Sequence, residues 1–150
     1  MLLTTNRLRP ARRSAFTLME VLVVVAILVI LAGVAIIAVP RYIDDARKSK
    51  AHLACKSLAQ ACEAFKNNPA NADGHYPQSA QELLQPPFGG PSYLQNGLAD
   101  LQTPWGGGQQ YTLEPRQKSD GTYYMLVHTN APDQTPVSNF GIGPTANPTF

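Results

Sequence analysis

Residues 21–39 form an unbroken run of nineteen apolar or small side chains. At a helical rise of about 1.5 Å per residue the run is roughly 28 Å long, close to the thickness of the hydrocarbon core of a bilayer. The run is therefore long enough to span a membrane as a helix. A cleavable secretory signal has an apolar core of about 7 to 15 residues with small residues at its far end. Ala35 and Ala38 imitate such an end, but Val39-Pro40-Arg41-Tyr42 continues into helical periodicity.

The near boundary carries the unusual chemistry. Arg7, Arg9, Arg12 and Arg13 precede Ser14-Ala15, and then comes Phe16-Thr17-Leu18-Met19-Glu20, whose last residue is the single acid of the segment. A carboxylate at the centre of a membrane helix costs about 2.5 to 3.5 kcal/mol on insertion scales, so an intramembrane acid generally has a partner. Two readings of Glu20 stand. It sits solvated at headgroup depth, where it favours the helix N-terminus, or it neutralises a buried positive charge.

This arrangement resembles the type IV pilin and type II secretion pseudopilin family, whose signature is a short basic leader ending in a small residue, then Phe-Thr-Leu-x-Glu, then a hydrophobic helix. The resemblance implies that a prepilin peptidase cuts between Ala15 and Phe16 and that the new amine is N-methylated. It implies also that Glu20 neutralises that amine, on its own or a neighbouring subunit, during filament assembly. The family prefers Gly before the cut, and here the residue is Ala15.

Charge follows the same division. The formal net charge is +2, but residues 1–15 hold four arginines and no acid, so the chain from Phe16 onward has eight basic and ten acidic side chains, a net −2. A basic patch on the folded part, the footprint of a nucleic-acid binder, is therefore not indicated. Arg41, Arg47, Lys48 and Lys50 beyond the span balance the four leader arginines, and the positive-inside rule leaves orientation open. The resemblance implies a cytoplasmic leader and an external, periplasmic C-terminal domain.

Pro40 removes one helical hydrogen bond and predicts a kink rather than a stop. Gly33 is a second weak point or a small residue for close helix packing. From 42 to 67 the pattern is helical, with Ala51, Cys55, Leu58, Cys62 and Phe65 spaced four, three, four, three on one apolar stripe. The helix should pack that stripe on the downstream domain, and Asn67-Asn68-Pro69 should end it. Cys55 and Cys62 lie seven residues apart, or roughly 10 Å along a helix, beyond the reach of about 7 Å between Cα atoms that a disulfide allows. Two buried structural thiols are expected, with intermolecular pairing or metal binding as the alternatives.

Residues 69–150 are rich in Pro, Gly, Asn and Gln. Ser79-Ala80-Gln81-Glu82 has capping-box spacing before Leu83-Leu84 and predicts a short helix. Residues 109–114 and 122–129 are β-prone and are joined by 115–121, which contains Asp120-Gly121, so a hairpin is expected. The tail from 135 has three prolines and no acid, and it reads as irregular, folded along the sheet or trailing free. His75-Tyr76-Pro77, Tyr93-Leu94 and Thr103-Pro104-Trp105-Gly106 before Tyr111 resemble the major, G-type pseudopilin of type II secretion. Pro104 and Gly106 suit a turn, and Trp105 is expected to bury its ring with its N–H bonded. Calcium binds an acidic C-terminal loop in that family. Here Thr103 stands where the family has an acid before Pro-Trp-Gly, and only Asp133 follows Asp120, with Asn130, Ser138 and backbone carbonyls as further oxygen donors. No cofactor is called for; calcium is the alternative, with few acids in the sequence to hold it.

Enzymatic signatures are weak. His52, His75 and His128 are isolated, no Cys-x-x-Cys or His-Glu-x-x-His spacing occurs, and Gly106-Gly107-Gly108 lacks the Lys and Ser/Thr of a phosphate-binding loop. The expected fold is α+β: a long N-terminal helix, half transmembrane and half amphipathic, packed on a small antiparallel sheet with a loop-rich C-terminus. The expected divisions are a cleaved leader (1–15), an assembly helix (16–40), its amphipathic continuation (41–68) and a periplasmic domain (69–150). The resemblance implies a structural, non-enzymatic subunit of the inner membrane that polymerises with itself into the type II secretion pseudopilus. Its implied partners are the prepilin peptidase and methyltransferase, other pseudopilins, the inner-membrane assembly platform and, before assembly, lipid. A surface pilin and a membrane-tethered periplasmic binding or catalytic domain are the alternatives.

Overall fold

A computed structural model describes residues 16–148. The chain divides into two compact units, Met1–Arg41 and Tyr42–Phe150. Helix α1, Leu18–Lys66, takes up 49 residues and contains Pro40. It ends where the sequence predicts, at Asn67-Asn68: the Asn71 side chain donates to the Phe65 carbonyl at 3.2 Å, satisfying an acceptor that the last helical turn leaves open.

In the second unit α1 buries Ala51, Cys55, Leu58, Cys62 and Phe65, the stripe read from the four-three spacing. The same core takes in Tyr76, Leu94 and Tyr111 from the loops, Leu83 from a short helix, Leu101 from a 3₁₀ turn, and Met125, Val127 and Val137 from the sheet. Phe65 sits 5.0 Å from the Phe88 ring and 5.7 Å from the Tyr93 ring, centroid to centroid, in tilted and edge-on geometries that aromatic pairs favour. The fold is α+β, a long helix packed on a small antiparallel sheet, as expected.

The sheet has three strands, β1 (Thr112–Gln117), β2 (Tyr123–Asn130) and β3 (Pro136–Ser138), in the order β1-β2-β3 and antiparallel throughout. The hairpin exists, but β1 lies further along than the 109–114 expected, and Pro115 is inside it rather than in the turn. The register explains this. Lys118 N–H donates to the Thr122 carbonyl at 2.8 Å, and hydrogen-bonded pairs then alternate, so Pro115 opposite Met125 falls in a non-hydrogen-bonded position. Its missing N–H faces away from β2 on an edge strand, where it breaks no ladder bond. Asp120 shapes the turn by accepting from Thr122 N–H at 2.8 Å, and Gly121 takes φ 85°, a conformation costly for other residues.

The tail folds along the sheet, one of the two expected arrangements, and is more regular than expected. Residues 135–148 supply β3 and a 3₁₀ turn, Gly143–Ala146, and bury Val137, Ser138 and Ala146. Proline does not prevent this, because Pro136 is the first residue of an edge strand and Pro144 opens the 3₁₀ turn. Asn139 extends the ladder beyond β3. Its N–H and Nδ2 donate to the Val127 and Met125 carbonyls, and its Oδ1 accepts from Val127 N–H at 3.0 Å. Helix α2, Ala80–Leu84, forms as expected and buries Leu83, but Ser79 makes no side-chain cap. Glu82 instead accepts from the backbone N–H of Gln78 at 3.0 Å.

Candidate functional site

Of the first unit the structure describes the segment from Phe16. Ala15, at the expected cleavage point, lies outside the described residues. Phe16 is 79% exposed, and Glu20 stands exposed in the first turn of α1. Thr17 was not singled out in the sequence, yet it is the cap of this helix. Its Oγ1 accepts from Glu20 N–H at 3.2 Å, and its carbonyl accepts from the N–H groups of Glu20 and Val21. Thr17-Leu18-Met19-Glu20 has the Ser/Thr-x-x-Glu spacing of a capping box, which was the signal available. A carboxylate in that first turn is also favoured by the helix dipole.

Every large apolar side chain between Val21 and Val39 is exposed. Among the described residues α1 is the one helix long and apolar enough to cross a membrane, and none of its apolar window is buried. Soluble proteins do not normally leave so large a contiguous apolar surface in water. Gly33 has open space where a Cβ would stand, so no contact among the described residues requires glycine there. Pro40 lies inside α1 rather than at its end.

In the second unit Thr103-Pro104-Trp105-Gly106 is a turn: Gly106 N–H donates to the Thr103 carbonyl at 3.2 Å, with Pro104 at the position proline favours. Thr103 N–H then donates to the Gln109 carbonyl and Tyr111 N–H to the Leu101 carbonyl, which closes the loop. Trp105 is half-buried against the core, and its indole N–H has no protein partner among the described residues, contrary to the expected bonded N–H. It lines a small cavity of about 140 Å³ with Asp44, Lys48 and Asp133.

Cys55 and Cys62 are free and buried, and desolvation pushes both thiols up to about 12. Most oxygen donors offered for calcium are engaged elsewhere. Asp133 accepts from Lys48 Nζ at 2.5 Å and from Thr135 N–H at 3.1 Å. Ser138 Oγ donates to the Ala146 carbonyl at 2.6 Å, and the Asn130 carbonyl accepts from Gln109. No group of three or more His, Cys, Asp or Glu side chains converges among the described residues. A calcium ion needs several free oxygens including carboxylates, and these residues do not fit one.

The histidines have structural positions. His52 Nδ1 lies 2.6 Å from the Ser138 carbonyl, which can only accept, so Nδ1 carries the proton and ties α1 to β3. Sequence reading missed this contact, since it joins residues 86 apart. His128 is half-exposed on β2 with Nε2 at 3.4 Å from Glu114 Oε1, and His75 is exposed. Tyr76 donates to Glu63 while Lys66 Nζ stands 4.4 Å from the Tyr76 ring centre, so the tyrosine of His75-Tyr76-Pro77 locks its loop to the end of α1.

Comparison with curated proteins and with solved structures found no match. A family model does match. Residues 10–36, which contain Ala15, Phe16, Thr17, Glu20 and most of the apolar run, carry the prokaryotic N-terminal methylation motif, the prepilin signal of type IV pilin-like structural subunits that a prepilin peptidase processes and an apolar N-terminal helix anchors in the membrane.

Proposed function

We infer that the chain is a filament subunit of the type II secretion pseudopilus, cut before Phe16, N-methylated there, and polymerised through its N-terminal helix to support protein export. The observation that carries this reading is the methylation motif followed by an apolar helix with no buried face of its own. Such a helix requires a covering, by lipid before assembly and by copies of itself afterwards. Glu20 is the charge assigned to the freed amine of Phe16, because an acid carried into an apolar bundle is expensive and is commonly paired there. The pseudopilus is favoured over a surface pilus by the Pro104-Trp105-Gly106 turn and by a small domain held together without a disulfide.

The test is N-terminal mass spectrometry of the chain extracted from membranes, with Glu20→Ala alongside. A methylated Phe16 start is expected for the wild type, and the variant should lose methylation or assembly. A chain that keeps Met1 sinks processing, and a fully methylated, normally assembling Glu20→Ala sinks the pairing. Export lost on deletion, with surface filaments unaffected, supports the pseudopilus; the reverse pattern supports a surface pilus.

A further inference from the structure

The sequence holds one Asn-Gly pair, Asn96-Gly97, and it stands at the entry of the 3₁₀ turn Gly97–Leu101. In such a pair the backbone nitrogen of the glycine, unhindered by a side chain, can attack the asparagine Cγ and close a five-membered ring. The turn keeps this vulnerable pair because Gly97 takes φ 63°, a conformation glycine adopts freely and most residues do not. Asn96 is exposed, so water reaches it.

The fold clamps the side chain that would react. Asn96 N–H donates to Asp100 Oδ2 at 2.9 Å, and Asn96 Nδ2 donates to Asp100 Oδ1 at 2.9 Å. A carboxylate only accepts, so it fixes which end of the Asn96 amide faces it: the nitrogen that would leave as ammonia. These bonds, the side-chain one first, hold the Asp100 carboxyl below its ordinary range, so the clamp is closed at neutral pH. The backbone is also set against ring closure. At the Asn96 ψ of 16° the Gly97 nitrogen is turned away from Cβ, whereas closure needs the two eclipsed and the nitrogen within about 3–3.5 Å of Cγ. Reaction therefore waits on opening of the turn, a short and largely exposed element.

We propose that Asn96-Gly97 is a deamidation site gated by Asp100, and that its conversion is one-way because the product cannot rebuild the clamp. Once the turn opens, the Gly97 nitrogen gives its proton to solvent base and forms a bond to Asn96 Cγ. The Cγ–Nδ2 bond breaks, and ammonia leaves, protonated by solvent. Water then opens the succinimide at either carbonyl, leaving aspartate or isoaspartate at position 96 with no oxidation or reduction. Aspartate sets a second carboxylate where a donor stood, 2.9 Å from an Asp100 oxygen, and isoaspartate also adds a methylene to the backbone. Two acceptors exchange no hydrogen bond, and like charges that close repel. The turn that brings Leu101 into the core is then left unclamped. The site lies in the second unit and is independent of the filament reading.

The test incubates the full chain in detergent micelles in mildly alkaline buffer, beside a synthetic peptide of residues 92–101. Conversion at residue 96 is followed by peptide mass spectrometry and by isoaspartate-specific methyltransferase labelling. The folded chain should convert roughly tenfold or more slowly than the peptide, since only the open fraction reacts. Asp100→Ala should bring the rate close to that of the peptide while iodoacetamide still fails to label the buried Cys55 and Cys62, which shows the core intact. Asn96→Asp, the product itself, should lower Tm at neutral pH. Adding Asp100→Asn should restore it, because the reversed pair again has a donor facing a carboxylate. The proposal is overturned by a folded chain that converts as fast as the peptide, by Asp100→Ala that keeps its core and converts no faster than the wild type, or by Asn96→Asp with unchanged Tm. If Asp100→Ala loses its core, the reversed pair decides: failure of Asp100→Asn to rescue Asn96→Asp overturns the clamp.

Discussion

At the scale of single residues, the Asp133 carboxylate is held down to about 2 by its hydrogen bond to the Lys48 ammonium and then by Thr135. A depressed carboxylate stabilises the fold above its ordinary value of 3.8 and gives that stability up as pH falls through about 2. Asp133→Asn should therefore flatten the decline of Tm over that acidic window relative to the wild type, with little difference at neutral pH beyond loss of the exposed pair. Superimposable acid limbs would mean that the contact does not persist in solution. The thiols give a second residue-level expectation. Burial holds Cys55 and Cys62 up near 12, so neither is a thiolate at pH 8. Iodoacetamide should label both only as the domain unfolds in urea. Labelling of the native chain at the rate of a free thiol would contradict the packing of the α1 stripe.

At the scale of elements, Asn139 joins β3 to β2 with its side chain, and its Oδ1 is the acceptor for the N–H of the fully buried Val127. Asn139→Ala should cost about 1–3 kcal/mol, the penalty for an orphaned buried donor, read as a lower urea midpoint. A change too small to measure would show the tail to be dispensable. This element also marks where sequence reading stops. The α1 stripe was legible because Ala51, Cys55, Leu58, Cys62 and Phe65 express a helical period that is fixed locally. Strand β3 was not, because three residues beginning with proline have no local preference strong enough to declare a strand, and its pairing with residues 128–130 is non-local. Pro115 misled for a related reason: a proline breaks a ladder only on the side that bonds, and that side is set by register. In the N-terminal site the motif and the span were legible, while the Thr17 cap was written in the sequence and passed over in favour of Glu20.

At the scale of the molecule, all the core residues that hold the sheet to α1, from Ala51 to Val137, lie in the unit Tyr42–Phe150, and the apolar run contributes none. The stability of that unit therefore owes nothing to the membrane segment. Removing residues 1–41 would create a new helix start at Tyr42, where Asp44 and Asp45 place negative charge in the first turn, favourable to the helix dipole. The first turns up to Lys50 are largely exposed and would fray at small cost, since cooperative burial begins at Ala51. Residues 42–150 should then be a soluble monomer with one cooperative thermal transition and native-like dispersion in its NMR spectrum. The full chain in detergent should unfold this unit at the same temperature within a few degrees. Aggregation, binding of a hydrophobic dye or a broad non-cooperative transition would show that the apolar helix is needed to complete the domain. Agreement would show that the two units are energetically separable, one with its apolar surface uncovered, the other able to fold without it.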